Sequence, residues 1–109
     1  PDTDHRHYNR DGAAFHVGET FNGIPFETAV ALAEELWGYV PAGMSMPHLA
    51  LRYILDHPAV TVVIPGASGP DQVTANAAAS GLRPLPDALH TALAGFFDAQ
   101  VAAHIRGQR

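Results

Sequence analysis

The chemistry that this chain could do is concentrated in one stretch, VTVVIPGASGPDQVTANAAA, residues 60–79. A β-branched run ends at Pro65, passes through Gly66-Ala67-Ser68-Gly69, and enters a helical pattern at Pro70. The first turn of a helix offers N–H groups with no partner inside the helix, and its aligned peptide dipoles put about half a positive charge there. Gly66 and Gly69 let the backbone approach a phosphate closely or take positive φ, and Ser68 adds a hydroxyl donor. Gln72 and Asn76 stand four apart and so share one helix face, where their amides can read a purine edge or a ribose hydroxyl. The same residues also read as an ordinary connection, with Gly and Ser serving only to turn the chain and cap the helix. Asp71 leans toward that second reading, because a carboxylate in the first turn already complements the dipole and repels a second anion. Asn76 can equally be a plain solvent-facing residue.

Elsewhere the chemistry is sparse. The sequence holds no Cys and no Lys, which removes thiolate metal sites, disulfides and a phosphate-loop lysine. His5 and His7 are two apart, but such a pair in a leading segment is usually just solvated, and no HExxH-type spacing occurs. Metal binding is not expected. Tyr8, Tyr39 and Tyr53 have no Lys or paired acid nearby in sequence to depress a pKa, so none is assigned as a general acid.

The elements that must position the loop follow from composition and periodicity. At 109 residues the chain is one domain at most, and 47% hydrophobic against 16% charged residues makes it globular rather than disordered. A formal charge of −5 with no basic cluster argues against a nucleic-acid surface. The apolar runs are too short to span a bilayer, so no membrane partner is expected and a cytoplasmic protein is the default. The first residue is Pro rather than Met, which suggests a processed chain or a part of a longer one.

Residues 1–24 show no periodicity and read as an irregular loop. From Pro25, the residues Phe26, Ala29, Val30, Ala33, Leu36, Trp37 and Val40 recur at helical steps, predicting an amphipathic helix over about 25–40 with Pro25 in its first turn. Pro41-Ala42-Gly43 ends it. Ser45 can cap a second helix over 45–57, with Pro47 tolerated in its first turn. In that helix His48, Arg52 and Asp56 are each four apart and form one polar stripe, read as its single solvent-facing edge. Arg52 and Asp56 can pair across one turn. Residues 60–64 predict a strand covered on both faces. A helix over 70–79 follows, with Gly81 just past its end, and a last amphipathic helix spans 87–104. The class is α/β, in one segment over 1–109.

A lone strand cannot satisfy its own backbone, since each buried unpaired amide or carbonyl costs about 1–3 kcal/mol. The expected partner strands lie either in a missing N-terminal region or in another chain.

At this point the residues resemble a family. PHLALRYILDHPAVTVVIPGASGPDQVTANAAA is similar to the C-terminal part of an aldo-keto reductase, and HRHYNRDGAAFHVGETFNG to the long loop that precedes it in a bacterial-type branch. The resemblance is specific at ALRYILDHP, at VIPGAS and at the spacing of Gln72 and Asn76. It implies the C-terminal segment of a (β/α)8 TIM barrel, in which 60–64 is the eighth strand, 70–79 the eighth helix and 87–104 an added C-terminal helix. It further implies that Gly66 and Ala67 by backbone, and Ser68, Gln72 and Asn76 by side chain, contact the 2′-phosphate, ribose and adenine of NADP(H). Some branches place Lys at the position of Gly66 and Arg at that of Gln72, and others Glu at that of Ala75, so NAD(H) is not excluded. The family's catalytic Asp, Tyr, Lys and His come from earlier strands, so no residue here inherits a catalytic role and the chain alone is expected to be inactive. The implied partners are the dinucleotide and an aldehyde or ketone in the intact barrel. The alternative is a non-catalytic helical interaction or oligomerisation module, or less favourably a stand-alone nucleotide-binding segment.

Overall fold

The computed structural model describes residues 23–105. His5, His7, Tyr8 and nearly all of the leading loop therefore lie outside the described residues. Four α-helices are formed: α1, Phe26–Leu36; α2, Met46–Leu55; α3, Pro70–Ala78; and α4, Asp87–Phe96. Two compact units divide them, one of residues 23–38 with 94–105, the other Tyr39–Leu93.

In the first unit, α1 begins where Pro25 occupies the N-cap position, one residue outside the helix, and the Pro25 carbonyl accepts from Ala29 N–H at 2.9 Å. The expected apolar face exists as a pattern, but α1 has no buried residue, and Phe26, Val30 and Trp37 are all exposed. The last predicted helix changes pitch along its length. Its regular turns end at Phe96, followed by π-helical Phe97–Val101 and a 3₁₀ turn at Ala102–His104. Phe96 and Ala102 are its buried residues in this unit.

The second unit is built on α2. Ser45 caps it as its sequence predicts, its side chain accepting from His48 N–H at 3.2 Å, with Pro47 in the first turn where no N–H is required. The approach to this cap is a tight turn in which Met44 N–H donates to Pro41 O at 3.1 Å. Gly43 has φ +79° there, a left-handed conformation that glycine, with no Cβ, adopts without strain. Leu49 and Leu51 are buried on α2, together with Ala79, Leu85 and Leu93. α3 and the 3₁₀ turn Ala79–Gly81 pack against α2.

Two expectations are corrected here. Residues 60–64 form no strand, and among the described residues there is none, so the α/β class is not realised within them. The reason is physical: a strand is a paired structure, and these residues have no second strand to pair with. Among the described residues only Val60 N–H of this stretch finds a backbone partner, His57 O at 2.9 Å. Val62 is 68% and Ile64 89% exposed.

The polar stripe of α2 is also inverted. The Asp56 and Arg52 side chains are only 7% and 13% exposed, whereas the apolar Tyr53 and Ile54 are each 39% exposed. A stripe of charge points outward only if the inside offers it no partners. Here the inside is rich in them.

Candidate functional site

Of the five residues singled out by sequence, Gly66, Ala67, Ser68, Gln72 and Asn76, four are joined in pairs between the loop and α3, Ser68 with Gln72 and Gly66 with Asn76, while Ala67 lines a cleft with Asn76. Gln72 turns its amide oxygen back onto the loop, accepting from Ser68 N–H at 2.7 Å and from Ser68 Oγ at 3.1 Å. One turn further on, Asn76 Nδ2 donates to Gly66 O at 3.2 Å. These bonds fix both amide orientations, because only an oxygen can accept from an N–H and only the NH₂ can donate to a carbonyl. Among the described residues Gln72 Nε2 and Asn76 Oδ1 are then left without partners, one donor and one acceptor on a single helix face. An open cleft of about 440 Å³ lies beside Asn76, lined also by Val62, Val63, Pro65, Ala67 and Val73 but not by Gln72, within the range of small-molecule sites.

The backbone donors of the loop are partly used. Gly69 is the N-cap residue and has no side chain to cap with, so its carbonyl instead accepts from Gln72 N–H at 3.2 Å and Val73 N–H at 3.3 Å. Pro70 has no N–H to offer. Neither Gly66 nor Gly69 has positive φ; Gly69 is fully extended at φ −166°. A Cβ at either position would meet nothing within 4 Å. The chain's own conformation and packing therefore do not require glycine at either place, and the space in front of both is open.

What holds α3 in place was not legible from the loop itself. This nine-residue helix has no buried residue, and so short a helix is marginal without tertiary support. Its support comes through carbonyl groups at its C-terminal end. There the backbone tightens, Ala79 N–H turning to Asn76 O and Ala77 O rather than completing the regular bond to Ala75 O. His48 Nε2–H donates to the Ala75 carbonyl at 2.7 Å. Ser80 Oγ donates to Ala77 O at 2.9 Å. Arg52 Nη1 reaches the carbonyls of Ala79 and Ser80 at 3.4 Å and of Leu82 at 3.2 Å. A cation at the carbonyl end of a helix is also favoured by the helix dipole.

Asp56 completes the network. Its Oδ1 accepts from Arg52 Nε at 2.7 Å, and its Oδ2 from Leu85 N–H and His90 Nε2–H, each at 2.8 Å. Leu85 is buried between two prolines, so its N–H is the one backbone donor of Pro84-Leu85-Pro86 and must be satisfied. The His90 ring stacks on Tyr53 with centroids 5.2 Å apart. Burial pushes the Asp56 carboxyl up, but the hydrogen bonds from His90, Leu85 and Arg52, with the Arg52 charge, outweigh it and hold the group below its ordinary range. A larger hollow of about 670 Å³ lies around this cluster and includes none of the five loop residues. Among the described residues no group of three metal-ligating side chains is present, and no helix is long and apolar enough to cross a membrane.

A protein-family model, that of the aldo/keto reductase family, matches residues 5–96. Neither the curated proteins nor the solved structures searched gave a match. The match spans most of the chain, including α1 to α4 and the whole loop, and the chain belongs to the aldo/keto reductase family. The family's fold is the TIM barrel, and its members are oxidoreductases that bind a nicotinamide dinucleotide and a carbonyl substrate.

Proposed function

We propose that this chain is the C-terminal portion of an NADP(H)-dependent aldo/keto reductase, and that it supplies the adenosine and 2′-phosphate part of the cofactor site. The observation that carries this reading is the convergence of Gly66, Ser68, Gln72 and Asn76 at the head of α3, in a chain of this family. The residues fit the group. The open space at Gly66 and Gly69 suits close approach of a phosphate, and Gln72 Nε2 and Asn76 Oδ1 suit the polar edges of adenine and ribose. When bound, the nicotinamide supplies the hydride for the carbonyl carbon. The chain's own residues bind and orient the far end of the dinucleotide, and Ala67 with Val73 gives the adenine an apolar wall. The nearby Asp71 carboxylate limits the affinity for the 2′-phosphate, and no cation replaces it in this loop, so NAD(H) remains an alternative cofactor.

Catalysis is assigned to the rest of the barrel. The family's tetrad includes a lysine, and this sequence has none. Residues 60–64, which form no strand among the described residues, correspond in this reading to the eighth strand, whose neighbours lie in the remainder of the protein. The experiment is carbonyl-dependent NADPH oxidation by the 109-residue chain beside the complete protein. Turnover only by the complete protein is expected, and turnover by the chain alone would refute the assignment.

A second reading, a helical interaction module, is favoured by the exposed apolar side chains of Phe26, Val30 and Trp37. Sedimentation of the chain distinguishes the two. A discrete oligomer with a cooperative melt supports the module; an ill-defined, weakly cooperative species supports the barrel segment.

A further inference from the structure

We infer that His48, on α2, is a positioning residue for the adenosine end of the site, acting through the backbone of α3; this rests on the cofactor reading above. The evidence is the mode of attachment of α3. Within Pro70–Ala78, which carries Gln72 and Asn76, no residue is buried, and packing holds the helix only at its C-cap, Ala79. The tethers at hand are the carbonyl bonds to α2, and that of His48 to Ala75 O, at 2.7 Å, is the shortest of them. Ala75 sits between the two amide residues, one before Asn76 and three after Gln72. Its carbonyl is available because Ala79 N–H has turned to Asn76 O and Ala77 O. An imidazole Nε2–H is a directional donor, so it fixes both the height and the rotation of the helix turn that it grips. Arg52 makes three longer contacts beyond the end of α3 and is tied to Asp56, so its loss would disturb the whole unit. Among the described residues the His48 imidazole bonds to Ala75 O alone, so replacing that side chain isolates the effect on α3.

The test is steady-state kinetics and ligand binding in the complete protein. His48→Ala is expected to raise the NADPH KM and the Kd for 2′,5′-ADP about fivefold, as for one lost hydrogen bond, with kcat and the carbonyl KM unchanged. His48→Gln, whose amide NH₂ can donate to the same carbonyl, is expected to restore most of the affinity. A purely structural role predicts instead a lower Tm with an unchanged KM, and that result would overturn the inference. So would an equal loss in His48→Ala and His48→Gln, or a fall in kcat that follows the affinity. Gln72→Ala and Asn76→Ala are measured alongside. If they weaken 2′,5′-ADP binding and His48→Ala does not, the inference alone fails; if neither weakens it, the site assignment fails with it.

Discussion

Arg52 Nε, in the last turn of α2, and Asp56 Oδ1, at its C-cap, lie 2.7 Å apart, and both side chains are largely shielded from solvent. The pair is the centre of a network that ends α3, anchors a proline-flanked linker and reaches the first turns of α4. Surface pairs at this spacing contribute little. This one is half-buried, and each partner also bonds to backbone groups, among them the Leu85 N–H.

Removing one partner should therefore cost far more than a surface pair is worth. Asp56→Ala leaves the half-buried Arg52 without its carboxylate and orphans the N–H of the buried Leu85, a loss of about 1–3 kcal/mol. Chemical denaturation is the measurement. A change below 1 kcal/mol would show that the linker finds another acceptor.

The same carboxylate makes stability depend on pH. Its folded pKa lies below the ordinary value of 3.8, so the folded state favours the ionised form. The stabilisation is complete above the unfolded pKa and is lost as the pH falls through the lowered folded value. A Tm-against-pH series from neutral to acid should fall more steeply below about pH 4 for the wild type than for Asp56→Asn. Parallel curves would remove Asp56 as the cause.

Glycines in this chain should divide by conformation. Gly43, at φ +79°, should lose about 1–2 kcal/mol on substitution by Ala. Gly66 has ordinary φ and open space, so a long side chain is admitted there. Gly66→Lys in the complete protein is expected to raise the preference for NADPH over NADH about tenfold to a hundredfold, through a charge-assisted bond to the 2′-phosphate. An unchanged NADPH/NADH ratio of kcat/KM would place the 2′-phosphate elsewhere.

Hydrogen exchange tests the strand assignment. Amides of residues 61–64 should exchange freely in the 109-residue chain, where they have no backbone partner among the described residues, and be strongly protected in the complete protein. Free exchange in both would mean that the segment is never a strand.

Much of this was legible from local signals, and the limits are instructive. Ser45, Pro47 and Pro70 act where they stand, through caps and missing N–H groups, and so mark the starts of α2 and α3 from sequence alone. The Arg52–Asp56 pair is a single-turn effect and was equally readable. The inward turn of the stripe was not. Its partners, Ala75, Ala79, Leu82, Leu85 and His90, lie 27 to 34 residues away along the chain. Nothing local reveals that a short helix will end with its carbonyls aimed at α2. The one available clue was the regular spacing of His48, Arg52 and Asp56, which polarity alone assigns to solvent. The strand failed for the opposite reason: β-branched residues state a local preference, but a ladder needs a second strand. In the loop, the shared face of Gln72 and Asn76 was readable, whereas the return of Gln72 onto Ser68 was not.

The most direct measurement of the central claim is the kinetics of Gln72→Ala/Asn76→Ala in the complete protein, with NADPH and carbonyl varied in turn. Two lost polar contacts at the adenosine end should raise the NADPH KM about tenfold or more, leaving kcat and the carbonyl KM as in the wild type. A fall in kcat at unchanged NADPH KM would contradict the account, because it would put these residues at the reacting end of the cofactor.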